Sequence, residues 1–354
     1  MSNHENPITH QPPPPRRIRV VATSPADLLA LVPYLLGFHP HQSLVALGFT
    51  DDELVVATRG DLPTQDDPAN AVDLLIGQMT RLVTNSRCTT VHLFGYGSPD
   101  LVEPVLRAAA DGFADAGLEV IDLVRVTSDR YFSLRSPGPD EGVPFEVGSN
   151  ILAAYAIAAG QVAFPDRDSL ARTIEAVDGP EQQAMTRATI AAAERLNMLI
   201  ATDGTAAAIR AGKHAVTEAF DRYAAGGRLD DNEMGWLTVQ LINPEVREHA
   251  WLLTDDRSWH EQLWRDTTRR ALLDLVAHAA ALLAFTAWRR GDGVLANLAA
   301  RRALDADPGN RLATLIDQVL AAGLSPATLI WPPDQPPADD TPDTSDLPDR
   351  AEPS

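Results

Sequence analysis

Thr89-Thr90-Val91-His92-Leu93-Phe94-Gly95-Tyr96-Gly97-Ser98-Pro99-Asp100 reads as a strand that turns directly into a helix. Thr89–Gly95 is a continuous apolar run with the length of one buried strand. Ser98 offers a side-chain acceptor as N-cap, Pro99 suits the first helical position, and Asp100 favours the positive helix end. The helix predicted from there runs to about Ala116, with Pro104 an awkward resident, and Gly117 ends it. Leu118–Val126 is then a further strand. Strands alternating with helices imply helices packed on a sheet, which sets the class of the N-terminal half.

The same alternation extends upstream. Ile18–Ala22 is a short β-type run, followed by Ser24, Pro25 and Asp27 as a helix start. Leu28, Leu29, Val32, Leu35 and Leu36 fall on one helical face. Pro33 is expected to kink or shorten that helix, and Gly37 to stop it. Ser43–Phe49 and Leu54–Thr58 are β-rich runs joined through Thr50-Asp51-Asp52, which reads as a hairpin. Pro68–Asn85 is helical by period, with Val72, Leu75, Ile76, Met79, Leu82 and Val83 as its stripe. The expectation is an α/β domain over residues 16–148, a mixed sheet with packed helices.

From Ser149 the β signal fades and Ala, Leu, Glu and Arg dominate, with breaks at Gly160, Pro165, Gly179-Pro180, Gly204, Gly226-Gly227 and Pro244. This predicts an all-α C-terminal domain over 149–330. Within it, Pro308 serves as the last position of a tetratricopeptide unit of about 34 residues, and Ala303, Ala296, Gly291 and Leu283 then fall on that repeat's positions. Ala284 falls where the paired helices approach closely. No second repeat fits, so the spacing predicts one tetratricopeptide-like helix hairpin closing the domain. Residues 1–15 end in four prolines and residues 331–354 are Pro, Asp and Thr with almost no apolar side chain. Both read as disordered tails.

Composition bounds the class. Forty-five per cent apolar and 22% charged residues over 354 positions describe a soluble globular chain. Of the net charge of −20, −16 is spread over residues 21–330, and such a body repels phosphate backbones, which argues against nucleic-acid partners. Lys213 is the one lysine among 29 basic residues, a bias better explained by composition than by selection for guanidinium contacts. A single cysteine, Cys88, excludes an intramolecular disulfide and a CxxC zinc site, and as the opening of a buried strand it reads as a small core side chain. Val276–Trp288 is too short to span a bilayer and contains His278. With no signal-type start either, a cytoplasmic protein without membrane partners is expected.

Candidate sites come with bland alternatives. His39-Pro40-His41-Gln42-Ser43 connects the first helix to a strand, a position where chemistry is often placed. Arg59 and Asp61 at the end of the next strand complete a candidate ligand pocket, with Gly95, Gly97 and Ser98 at a strand-to-helix turn of the kind that binds anions. Against it, the histidines can simply be solvated and the glycines can serve a tight turn; no third glycine, no GxxxxGK[ST] and no third metal ligand is evident. No metal and no cofactor is assigned. Arg125, Arg130 and Arg135 form a second possible anion pocket, with pairing to carboxylates the simpler account. Trp251, Trp259 and Trp264 are a candidate partner surface, because tryptophan is favoured at interfaces; they also build ordinary helical cores. No G-x-S-x-G, H-E-x-x-H or paired Cys-His set is present.

Two stretches carry a resemblance: Thr23 to Phe49, and Leu282 to Ala296 continuing through Arg302-Ala303-Leu304 to Pro308. Asn243–Trp251 and Leu263-Trp-Arg-Asp266 add to it. Over about residues 18–330 the chain resembles the domain of unknown function 4192 family, which implies a soluble protein of actinomycete-type bacteria and assigns no activity. The resemblance also implies a cysteine-containing stretch after Asp129-Arg-Tyr-Phe-Ser133; here Leu134–Gly142 has no cysteine, which counts against shared thiol chemistry. Two readings of function follow. One is a non-enzymatic interaction or regulatory protein whose helical domain docks a protein partner or its own copy. The other is a small-molecule-binding or hydrolytic enzyme with its pocket at the His39–Ser43 loop.

Overall fold

The structure, a computed structural model, describes residues 22–326 apart from 65, 137 and 149. Both expected tails, and the strand expected at Ile18–Ala22 up to Ala22 itself, lie outside the described residues. Helix α1 (Pro25–Leu36) opens with a capping box: the Asp27 amide reaches the Ser24 hydroxyl, and the Asp27 carboxylate accepts from the amides of Thr23 and Ser24. Pro33 does not shorten it. The helix runs through to Leu36 with Pro33 buried, ending at Gly37 in the left-handed conformation.

Strands β1 (Ser43–Thr50) and β2 (Glu53–Asp61) form the expected antiparallel hairpin. Its two-residue turn holds Asp51 and Asp52 at φ 50° and 64°, the left-handed pair whose twist matches that of the strands. Helix α2 (Ala71–Asn85) starts after the turn at Pro68, then come β3 (Thr90–Tyr96), α3 (Pro99–Asp115) and β4 (Glu119–Val126). Two short strands that the sequence did not disclose, β5 (Arg130–Ser133) and β6 (Val143–Pro144), extend the edge. They are too brief for a periodic signal. The sheet order is β2-β1-β3-β4-β5-β6, with β3 and β4 the one parallel pair, so the sheet is mixed.

The central strands are apolar on both faces. Leu44, Ala46, Val91, Leu93 and Leu123 face α2 and α3, meeting Ile76, Met79, Val102, Leu106 and Phe113. Val45, Leu47, Phe94, Val124 and Val126 face the other way, onto Leu28, Leu29, Val32 and Leu36 of α1. One twelve-residue helix does not cover that face alone. The chain returns through α4 (Ile151–Ala158) and α5 (Arg167–Arg172), whose Leu170 joins the same cluster, with Phe164 packed beside it. Phe164 also bridges to Phe38, its amide donating to the Gly37 carbonyl at 2.8 Å while His39 N–H donates to the Phe164 carbonyl at 2.9 Å.

The remainder is helical. Helix α6 (Gly179–Ala224) is interrupted at Gly204, whose φ of 80° and ψ of 169° are open only to glycine. A straight helix would hold Ala192 and Ala215 roughly 35 Å apart. Both nonetheless pack in one small cluster around Trp236 and Val239, so α6 folds back on itself as a helical hairpin with its tip at Gly204. Helices α7 (Asp231–Gln240), α8 (Pro244–Leu253), α9 (Ser258–Arg270), α10 (Val276–Arg289), α11 (Gly293–Ala306) and α12 (Arg311–Ala321) pack around a core that includes Trp264, Phe285, Leu237 and Leu295. Helices α10 and α11 bury Leu283, Ala284 and Ala296 in that core, while Ala303 packs in a smaller cluster with Ala280 and Ala313. Among the described residues no helix is long and apolar enough to cross a membrane.

Asp27 joins the two parts, because Asn150, the N-cap of α4, donates to its second carboxylate oxygen at 2.9 Å. That hydrogen bond, with those of Thr23 and Ser24, lowers the Asp27 carboxyl to about 2. A folded-state value below the unfolded one contributes stability above about pH 4 that is lost as pH falls through 2. Asp27→Ala is therefore expected to cost about 1–2 kcal/mol at neutral pH, with the difference from wild type closing between pH 4 and 2 in urea melts.

Candidate functional site

The register gathers most of the expected pocket residues at one end of the sheet. Ser43 opens β1 opposite Asp61 of β2 and Tyr96 of β3, so the three share a face with Arg59, which lies opposite Val45. Arg59 is committed there: its guanidinium pairs with Asp61 at 2.5 Å, reaches the His41 carbonyl at 3.4 Å, and lies over the Phe38 ring at 5.5 Å. Ser43 is fully buried. His39 and His41 are exposed, and among the described residues no three His, Cys, Asp or Glu side chains come together as metal ligands.

The glycines of this set have a packing role. A Cβ on Gly95 would lie 2.3 Å from Val102 and 2.9 Å from Leu106, and one on Gly97, at φ 149°, 2.9 Å from Val102. They are small because α3 is seated directly on the strand end. Ser98 precedes α3 in extended conformation, but its side chain makes no capping bond. These residues are thus neighbours at the end of the sheet, with Gly95 turned to the opposite face from Ser43.

Two further expectations are corrected. Arg125, Arg130 and Arg135 do not converge: Arg125 lies 3.7 Å over the Phe132 ring and 3.3 Å from Glu103, Arg130 donates to the Glu141 and Gly142 carbonyls at 3.0 and 3.1 Å, and Arg135 is exposed. Trp264 is not on a surface. It is fully buried and donates to the Thr254 hydroxyl at 3.0 Å, while Trp251 and Trp259 are half-buried against Phe285 and Phe220. These rings complete the helical core, because large apolar area is needed where several short helices meet. Cys88 is likewise a core side chain, its thiol pushed up by burial.

A large cleft lies elsewhere, where the α/β and helical parts meet. It encloses about 650 Å³, within the size range of small-molecule sites. One wall is the end of α1 at Tyr34, Leu35 and Gly37, with the segment from Ala159 to Phe164 and α5 beside it. The other wall is α9 with the turn between α10 and α11. Helix α9 presents Glu261, Arg265 and Arg269 at four-residue spacing, hence on one face. The turn adds Arg290 and Asp292, and α5 adds Ser169, Arg172 and Thr173.

Within this cleft the charges are only partly satisfied. Glu261 is held by two guanidiniums, Arg265 at 2.6 Å and Arg290 at 2.8 Å. Arg265 also donates to the Thr173 hydroxyl, tying α9 to α5, and Arg290 donates to the Asp256 carbonyl at 2.7 Å. Asp292 is the N-cap of α11, accepting from Leu295 N–H at 2.9 Å. Burial, opposed by the capping bond and reinforced by Glu261, pushes its carboxyl up to about 6. Sequence reading passed over this group. The spacing Glu261–Arg265–Arg269 was legible as one helix face, and Arg290-Gly291-Asp292 lies in a stretch singled out for other reasons. That both face α5 was not.

The arrangement is that of a mixed-sheet α/β unit fused to a helical unit, with a charged cleft between them. Over residues 25–327 the chain matches the family described as domain of unknown function (DUF4192), and it belongs to that family. It matches no curated protein and no solved structure.

Because the folded chain holds the Asp292 proton more tightly than the unfolded chain, its stability falls as pH rises between about 4 and 6. Asn caps helices as well as Asp does. Asp292→Asn is therefore expected to match wild type at pH 4 and to exceed it by about 1–3 kcal/mol at pH 7.5, read from thermal melts at both pH values.

Proposed function

We propose that this protein is a non-enzymatic small-molecule-binding protein of regulatory type, whose ligand occupies the cleft between the α/β and helical parts. The observation that carries the reading is the cleft itself, about 650 Å³ with walls drawn from both parts and four arginines in its lining. A ligand seated there touches the end of α1 and α9 at once, so its binding energy couples the two parts, which is the physical basis of a regulatory response. The alternative of a hydrolytic enzyme at the His39–Ser43 loop has less support, because Arg59 is already paired with Asp61 and the glycine positions are filled by α3.

A thermal-shift screen of the full chain against metabolite families tests the reading. A ligand present at a hundred times its dissociation constant is expected to stabilise by about 2.7 kcal/mol, and the shift to be lost in Arg269→Ala. A hit that survives Arg269→Ala and Arg172→Ala but disappears in Arg59→Ala would return the site to the end of the sheet.

A second reading, a protein-docking role for the helical part, draws on Ile190, Met198 and Ile200. These are 54%, 68% and 40% exposed along the first arm of the α6 hairpin. The tetratricopeptide-like spacing of α10 and α11 belongs to this reading. Its simplest form is self-association: light scattering then gives a multiple of 38.2 kDa, and Met198→Glu restores the monomer. A monomer at high concentration removes that form of it.

A further inference from the structure

We propose that the cleft takes a small aliphatic molecule carrying a phosphoryl dianion, with Arg172 and Arg269 as the residues that receive the dianion; this rests on the reading of the cleft as a ligand site. The argument starts from which charges are already spent. Arg265 and Arg290 share Glu261, and each has a second acceptor on the protein. They build the wall. Arg172 has only the Ser169 hydroxyl at 2.6 Å and a distant, exposed Asp166 at 3.9 Å, a pairing worth little in water. Arg269 has no hydrogen-bond or ion-pair partner for its side chain among the described residues.

Two uncommitted guanidiniums, one from α5 and one from α9, therefore reach a single cleft in a chain whose net charge is −20. Both are exposed at the rim, and a dianion pairs with both at once where a monoanion pairs with one. The planar donor fork of each arginine fits a pair of phosphoryl oxygens, which makes Arg the common choice for this group. The Ser169 hydroxyl beside Arg172 supplies a further donor. Leu35, Val162 and Leu170 give the rest of the molecule an aliphatic wall. The opposing charge in the cleft is Asp292, whose carboxylate disfavours an anion nearby whenever it is ionised.

Isothermal titration of the full chain in low-salt buffer at pH 7.5 tests this, with glycerol 3-phosphate and inorganic phosphate as probes, succinate as the dicarboxylate and glycerol as the neutral control. Glycerol 3-phosphate is expected to bind, with succinate at least tenfold weaker and glycerol silent. Arg172→Ala and Arg269→Ala are each expected to weaken binding tenfold or more. Asp292→Asn is expected to tighten it severalfold, a gain that a merely structural role for the cleft would not produce. Arg195→Ala, which removes a guanidinium lying 4.0 Å over Trp236 outside the cleft, is expected to leave binding unchanged. Cooperative melts, unaltered in the arginine variants and raised in Asp292→Asn, confirm that the variants fold. Preference for succinate or glycerol, with binding still lost in Arg269→Ala, overturns the phosphoryl assignment and leaves the cleft as a ligand site. Phosphoryl binding that ignores both arginine substitutions overturns the assigned residues. No heat from any probe, together with a flat metabolite screen, overturns the proposal and the cleft reading alike.

Discussion

The arrangement of the whole molecule depends on a sheet that is apolar on both faces. Leu44 and Leu93 point one way, Val45 and Phe94 the other, and each set must leave water. Helices α2 and α3 cover the first face with the ordinary crossover geometry of an α/β unit. The second face receives α1, which is short, and the shortfall is met by Leu170 and Phe164 with Val294 and Leu298 of α11 at the margin. The helical part is therefore no appendage. Its near side completes the core of the sheet, and that requirement draws α5, α9 and the turn before α11 into one neighbourhood.

Where this coverage stops, a cleft remains, and its chemistry follows from its position. Glu261 and Arg265 are half-buried there, so their pairing is strong, whereas Arg172 and Arg269 lie exposed at the rim. Glu261 is satisfied twice over, while Arg269 is not satisfied at all among the described residues. Asp292 is held by its helix cap in surroundings that disfavour its charge, which raises its carboxyl to about 6. By contrast, at the end of the sheet the arginine is paired with an exposed carboxylate. Arg59 has its carboxylate, and the space that Gly95 and Gly97 leave belongs to Val102 and Leu106.

The helical part shows the same economy. Trp264 and its neighbours are consumed in joining short helices, and α6 reverses at a single glycine to bring two arms under α7. Gly204 was visible in the sequence as a break. That the break is a full reversal depends on Trp236 packing against residues on both arms, a contact between segments far apart in the chain.

The sequence by itself determined the local elements: the capped start of α1 at Ser24 and Asp27, the Asp51-Asp52 hairpin, the strand–helix–strand run from Thr90 to Val126, and the shift to helix after Asn150. These are decided by neighbours within a few residues, through caps, turns and hydrophobic period, so they can be read from order alone. Membership of the family was legible for the same reason. Only the tertiary structure decided which arginines remain unpaired, which tryptophans are buried, and where a cavity is left. Those properties depend on what residues more than a hundred positions apart, such as Asp27 and Asn150, place against one another. A sequence names the groups; burial and pairing are set when the two faces of the sheet are covered.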